Sequence, residues 1–202
     1  MPRPNQLDEQ RQRLLPIVCR AFSEFGYRRT TTAELARRCE VRENILYRLW
    51  PDKKAMYLAA VDSIYAERLT LWDQLATERP DNADISELLL SYEAEHQGES
   101  GLHKVLFDAL GEAHDPDVRE MLVSVYRRFH AALQRHIEES RPRSQSKSSS
   151  QLPVEMTVWG LIGLATVSNI IRELDLLPVK EREKMFLSVG NALLSADVGS
   201  SA

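Results

Sequence analysis

The sequence has few of the residues and patterns that specify sheets, disulfide scaffolds or loop-rich folds. Its 202 residues include only two cysteines, eight glycines and nine prolines. So little glycine and proline excludes a collagen-like chain or one dominated by loops. Alternating runs of β-branched residues and the Asn-Gly signal of tight hairpins are both missing, so extended strands are not expected. An all-α fold is therefore predicted.

The two cysteines, Cys19 and Cys39, lie in segments patterned with apolar residues. Residues 1–12 are polar and lack the apolar core of a secretory signal. A disulfide is the alternative, but nothing else in the sequence suggests secretion, and disulfides are rare in the cytosol. We therefore predict two reduced, buried thiols in a cytoplasmic protein.

Sequence motifs of common enzymes are also missing. The chain contains no glycine-rich phosphate loop, GxSxG elbow, HExxH pair or paired cysteine ligands. Glu93 and Glu95 beside His96 offer an alternative acid–base site, although charged residues cluster on helical faces routinely. Four histidines lack metal-ligand spacing with a third partner: His96, His103, His130 and His136. We predict a protein that is not an enzyme and holds neither a metal nor another cofactor.

Charge is distributed unevenly along the chain. Residues 1–57 carry 12 Lys and Arg against 7 Asp and Glu, which gives +5. The remainder carries 14 against 23, which gives −9 and a total of −4. A basic N-terminal segment on an acidic body predicts that this segment binds a polyanion.

Apolar residues recur every three or four positions along the first 75 residues, as amphipathic helices require. The first helix should end at Gly26, and Pro16 either kinks that helix or marks its well-formed start. Thr31 opens a second helix, followed by a short third helix. Asp52 caps a fourth helix after the proline at position 51.

The remainder of the chain continues the helical pattern, giving about nine helices in all. The predicted helices cover Ile85 to Glu95, Leu102 to Leu110, a long segment opened by Asp115 and Pro116, Leu152 to Leu174, and Val179 to Ser195. Residues 141–151 are polar and low in complexity, which predicts a mobile loop.

The second and third helices, residues 31–50, are spaced as a helix-turn-helix. Residues 8–68 resemble the N-terminal domain of TetR-type regulators. The resemblance rests on Phe22, Phe25, Gly26, Tyr27, Thr30, Thr31, Leu35, Ala36, Cys39, Val41, Leu46, Tyr47, Trp50 and Lys53. It implies a DNA-binding domain over residues 1–51 and a helical effector-binding and dimerisation domain over residues 52–202.

The resemblance also implies which side chains meet double-stranded DNA. Phosphate contacts are expected near the starts of the second and fourth helices, and base contacts from the first turn of the third helix. Together these residues are Thr30, Thr31, Arg42, Glu43, Asn44, Ile45, Tyr47, Arg48 and Lys53. Glu40 departs from the family, which usually has glycine there, and a left-handed backbone at this turn would strain it.

Residues 156–171 are apolar nearly all round, which requires cover on both sides. Polar interruptions and flanking charges argue against a membrane span. A buried helix in a monomer is one alternative, but a homodimer is favoured because symmetric dimers are common. The predicted interface residues are Trp159, Gly160, Gly163, Val167, Ile171, Phe186 and Leu193.

The family resemblance, together with a surplus of aromatic residues in the body, predicts a pocket for an unknown small-molecule effector. The candidate lining residues are Tyr65, Trp72, Tyr92, Phe107, Tyr126, Phe129 and Trp159. We therefore predict a transcriptional repressor that binds a pseudo-palindromic operator as a homodimer and is released by its effector. A helical protein–protein adaptor is the alternative, against which the basic N-terminal segment argues.

Overall fold

A computed structural model describes residues 4–81, 83–98, 101–140 and 152–195, and this part of the chain forms helices without strands. The all-α prediction is confirmed. The predicted loop at 141–151 lies outside the described residues. The helices are α1 (Pro4–Arg29), α2 (Thr32–Arg38), α3 (Glu43–Leu49), α4 (Lys53–Glu78), α5 (Ile85–Glu95), α6 (Leu102–Gly111), α7 (Pro116–Ser140), α8 (Val154–Glu173) and α9 (Val179–Ser195).

The first helix starts earlier than Pro16 and runs through it, so this proline does not mark the start of α1. The helical geometry breaks at Gly26, whose φ is 75°. A Cβ atom at this position would lie 2.5 Å from the Oδ1 atom of Asp108, so both the backbone angle and the close approach require glycine.

The three side-chain caps predicted from the sequence are found at the starts of α2, α4 and α7. Thr31 has extended backbone angles and accepts the N–H of Glu34 at 3.1 Å. Asp52 accepts the N–H of Ala55 at 2.7 Å. Asp115 accepts the N–H of Asp117 at 2.9 Å, so the predicted caps are present.

Glu40 occupies the position after α2 where a helix often ends in a left-handed residue. Its φ is 53°, its N–H donates to the Arg37 carbonyl at 3.2 Å, and the Val41 N–H donates to the Ala36 carbonyl at 3.0 Å. These two bonds form a Schellman motif, whose left-handed residue is usually glycine. The expected strain at Glu40 is therefore present, and the turn keeps its ordinary geometry.

Replacing Glu40 with glycine should stabilise the fold by about 1 kcal/mol, because relief of left-handed strain exceeds the added backbone entropy of the unfolded chain. Glu40→Asn should gain less, and Glu40→Val should lose stability. Urea unfolding of the three variants measures the differences. A Gly variant less stable than wild type would show that Glu40 makes compensating interactions.

The chain forms two compact units. The first comprises Met1–Arg68 and Ser100–Val125, and the second comprises Leu69–Glu99 and Tyr126–Ala202. Helices α4 and α7 therefore contribute to both units. These units do not coincide with the predicted division at residue 52, because the start of α4 packs in the first unit, where Tyr57 and Val61 are fully buried.

Each unit has its own apolar core. In the first unit, α1 supplies Leu14, Val18 and Phe22 to the core, behind Leu35 of α2 and Leu46 of α3. The second unit contains two clusters of buried residues: one formed by Trp72, Ile85, Leu89 and Ala132, the other by Leu90, Ala94, Leu164 and Phe186.

Both cysteines are buried and free, as predicted. Burial raises the pKa of Cys19 to about 11 and also raises the pKa of Cys39. Both thiols are therefore protonated at neutral pH, which makes them poor nucleophiles.

Candidate nucleic-acid interface

The first turn of α3 presents polar side chains to solvent. Arg42, Glu43 and Asn44 are exposed, whereas Ile45 is half-buried. Behind them, Leu46 and Leu49 are buried against the rest of the first unit. This arrangement of a buried rear face and an exposed polar front is what a recognition helix needs to enter the major groove.

The two threonines before α2 differ in what they expose. Thr31 is exposed and uses its oxygen as the cap of α2, which leaves its hydroxyl proton available to a phosphate. Thr30 is fully buried and its hydroxyl donates to the Gly26 carbonyl at 2.6 Å. The predicted phosphate contact therefore does not fit the side chain of Thr30, which instead stabilises the end of α1.

Two other predicted contact residues also make bonds within the protein. Tyr47 is 46% exposed, and its hydroxyl donates to the Thr32 hydroxyl at 3.2 Å. Arg48 is exposed and donates to the side chain of Gln10 at 3.2 Å. Both side chains therefore have protein partners that a phosphate would have to replace or supplement.

Lys53 lies at the start of α4 with its ammonium group over the ring of Tyr27, 4.3 Å from the centroid. It donates to the carbonyls of Tyr27 at 3.0 Å and Thr30 at 3.2 Å. An ammonium group has three N–H donors, so one remains for a phosphate. Lys53 thus joins α4 to the end of α1 as well as carrying charge.

Arg11 is a residue of the interface region that the sequence pattern missed. Its guanidinium donates to the Leu49 carbonyl through Nε at 3.2 Å and Nη2 at 2.7 Å. These bonds satisfy a carbonyl at the end of α3, where helices leave such groups unpaired. The two residues are 38 positions apart, so no local signal could have indicated this contact.

Much of the positive charge in the first unit is paired with carboxylates. Arg38 bonds Glu24 at 2.6 Å and Glu34 at 2.8 Å, and Arg37 bonds Glu34 at 2.7 Å. Arg28 pairs with Glu112. The number of arginines in the segment therefore overstates the number of unpaired cationic side chains that could meet a polyanion.

The Arg37 and Arg38 hydrogen bonds lower the pKa of Glu34 to about 2 from an ordinary 4.5. A depressed folded-state pKa stabilises the fold above about pH 4.5, and this contribution is lost as the pH falls towards 2. The melting temperature of Glu34→Gln should therefore be lower than that of wild type at pH 7 and equal to it near pH 2. Thermal melts across this pH range measure the difference in melting temperature between the two proteins. A difference as large at pH 2 as at pH 7 would refute the role of these ion pairs.

A carboxylate on α6 ties together the helices behind the recognition surface. Asp108 Oδ2 accepts the N–H of Tyr27 at 2.6 Å and the hydroxyl of Tyr57 at 3.1 Å. The Tyr57 hydroxyl also reaches the Val105 carbonyl at 3.1 Å. Burial raises the pKa of Tyr57, so its hydroxyl remains a donor at physiological pH. Asp108 thus fixes the end of α1 and the start of α4 to α6.

The predicted effector-pocket residues are divided between the units. Tyr65 and Phe107 belong to the first unit, and Tyr65 is fully buried. In the second unit, Trp72 and Phe129 have ring centroids 5.3 Å apart, whereas Trp159 is 50% exposed. The remaining two, Tyr92 and Tyr126, are half-buried in the second unit.

The alternative acid–base group is held by structural contacts. Glu93 accepts the indole N–H of Trp72 at 2.8 Å. His96 stacks on Tyr92, with ring centroids 4.0 Å apart. Within the described ranges, no group of three His, Cys, Asp or Glu side chains is placed to hold a metal ion.

The apolar helix α8 exposes one stripe of its surface. Met156, Trp159, Val167, Ile170 and Leu174 are each at least 41% exposed, and the spacing between them matches one helical face. By length and composition α8 is apolar enough to cross a membrane. It is the one such helix among the described residues, and a single helix is weak evidence for a membrane span because the core helix of a soluble protein meets the same criteria.

Two of the predicted dimer-interface residues make contacts within the chain. Phe186 is 4% exposed and belongs to the core of the second unit, because its face of α9 points towards α5 and α8. Leu193 packs within the chain against Gly160, where a Cβ atom would lie 3.0 Å from a Leu193 methyl group. Trp159, Gly163 and Val167 are exposed, and Ile171 is half-buried.

Comparison with known protein families also points to the helix-turn-helix segment. Residues 19–60 match the family described as bacterial regulatory proteins of the tetR family. The nucleoid occlusion factor SlmA of Pasteurella multocida is 29% identical over 115 residues. That alignment covers 53% of this chain and 58% of the relative's length.

Solved structures show the same fold along nearly the whole chain. A TetR-family regulator from Cytophaga hutchinsonii has a TM-score of 0.79 at 16% identity, covering 96% of this chain and 98% of the other. FadR from Bacillus subtilis, solved with stearoyl-CoA, has a TM-score of 0.72 at 13% identity, covering 91% and 97%. The family match covers residues 19–60, and the solved structures show that the described helices share the fold of TetR-family regulators.

Proposed function

We propose that this chain is a TetR-family transcriptional regulator, a cytoplasmic repressor that binds a pseudo-palindromic operator as a homodimer. The observation that carries the proposal is the exposed first turn of α3, where Arg42, Glu43 and Asn44 stand in front of buried Leu46 and Leu49. Arginine, glutamate and asparagine are suited to guanine, cytosine and adenine edges in the major groove. Thr31, Arg48 and Lys53 supply donors for the phosphates on either side, and Tyr47 can do so when its hydroxyl exchanges Thr32 for a phosphate.

A second copy of this chain is proposed to pack against the exposed stripe of α8. The stripe is apolar over five turns, from Met156 to Leu174, which is costly to leave in water. Pairing α8 with its symmetric copy covers both stripes at once. A two-fold dimer then presents two recognition helices to successive major grooves, about 34 Å apart.

The second unit is the proposed site of a small-molecule effector. The support is the fold shared with FadR of Bacillus subtilis, which was solved in complex with stearoyl-CoA, and the aromatic pair of Trp72 and Phe129. Because α4 contributes to both units, a shift of α4 on effector binding would change the separation of the recognition helices. Allosteric coupling of about 1–3 kcal/mol lowers operator affinity roughly 5- to 150-fold.

Selection of bound sequences from random duplex DNA tests the proposal. The expected product is an inverted repeat with half-sites about 10 base pairs apart, bound more weakly as salt rises. Tyr47→Ala and Lys53→Ala should each weaken binding, while Val123→Ala, on an exposed part of α7, serves as the control. Enrichment of no sequence by the wild-type protein would refute operator recognition.

A further inference from the structure

Three side chains form a chain of hydrogen bonds along the front of the helix-turn-helix. The Tyr47 hydroxyl donates to Thr32 Oγ1 at 3.2 Å, and Thr32 Oγ1 donates to Glu43 Oε2 at 2.8 Å. Thr32 is the first residue of α2, whereas Glu43 and Tyr47 lie one turn apart on α3. A residue of the supporting helix therefore restrains the first turn of the recognition helix.

The direction of these bonds follows from the number of protons on each group. An ionised carboxylate only accepts, so the single proton of Thr32 lies towards Glu43. The single proton of Tyr47 then lies towards Thr32. One oxygen of Glu43 is engaged by this chain, and lone pairs on Oε1 are left for a further donor.

Base amino groups are the donors that this carboxylate can meet in DNA. Phosphates repel a carboxylate, but the major groove presents the N4 amino group of cytosine, from which a glutamate can accept a hydrogen bond. We propose that Thr32 is a positioning residue that orients Glu43 to read a cytosine in each operator half-site. This inference rests on the proposed function.

Thr32 matters because Glu43 is exposed, so burial does not order its side chain. A free glutamate side chain loses rotamer freedom when it is ordered at an interface, which opposes binding. The Thr32 hydrogen bond orders Glu43 before DNA arrives. Removing the hydroxyl should therefore weaken the preference for cytosine while phosphate contacts remain.

Parallel selections from one random duplex library test this role. Wild type, Thr32→Val, Thr32→Ser and Glu43→Ala are compared, with thermal melting to establish that each is folded. Glu43→Ala should lose the cytosine preference at one position of each half-site. Thr32→Val should reduce that preference by about three- to tenfold, the effect of one net hydrogen bond, and Thr32→Ser should retain it.

The outcomes separate this inference from the function on which it rests. A wild-type protein that enriches no sequence refutes the proposed function. A wild-type protein with a clear operator, whose Thr32→Val variant keeps the same base preferences, overturns the role of Thr32. Uniform weakening at all positions in Thr32→Val would also overturn it, since a phosphate contact would then account for the residue.

Discussion

Val167→Arg should convert the proposed dimer into a monomer. Val167 lies in the middle of the exposed α8 stripe and is 50% exposed. Pairing two copies through this stripe would bury the introduced guanidinium against apolar surface without a partner, which is strongly unfavourable. Sedimentation velocity should show half the wild-type mass. Operator affinity should fall by about 100-fold or more, because the second half-site no longer binds intramolecularly.

Val123→Arg is the matched control for this variant. Val123 is 43% exposed on α7, away from α8 in sequence and in the other compact unit. It should leave both the mass and the operator affinity unchanged. A Val167→Arg variant that remains a dimer would show that α8 is not the interface.

Asp108→Ala should lower the free energy of unfolding by about 2–3 kcal/mol. The carboxylate accepts the Tyr27 N–H and the Tyr57 hydroxyl, and hydrogen bonds to a charged group are each worth about 1.5–3 kcal/mol. Tyr57 is fully buried and retains only the Val105 carbonyl after the substitution. Urea unfolding followed by circular dichroism measures the loss.

Two companion variants define the cause of that loss. Asp108→Asn keeps a carbonyl acceptor without the charge and should lose less than Asp108→Ala. Asp117→Ala removes an exposed carboxylate that pairs with Lys54 and should change stability little, because solvent screens such pairs. If Asp108→Ala has the same midpoint of urea unfolding as wild type, Asp108 does not hold the first unit together.

The sequence was a sufficient guide wherever a structural feature is local. Thr31, Asp52 and Asp115 cap their helices because a side chain reaches an N–H group only two or three residues away. Gly26 could be recognised as a left-handed residue for the same reason. Helix positions and the helix-turn-helix therefore followed from local chemistry.

Contacts between distant residues could not be predicted in this way. Helical periodicity identifies Phe186 and Val167 equally as apolar, yet only Phe186 lies in the core of its own subunit. The family pattern placed Thr30 at a phosphate, whereas packing buries it. The Arg11 bond to Leu49 and the Thr32 bond to Glu43 join separate helices, and no spacing rule encodes them.

Hydroxyl-radical footprinting of the selected operator tests the central claim most directly. Two exposed recognition turns in a two-fold dimer should protect two patches of backbone, related by a dyad and about 10 base pairs apart. Protection should be lost in Val167→Arg at protein concentrations that saturate wild type. A single protected patch, or protection that persists in a monomeric variant, would contradict the account.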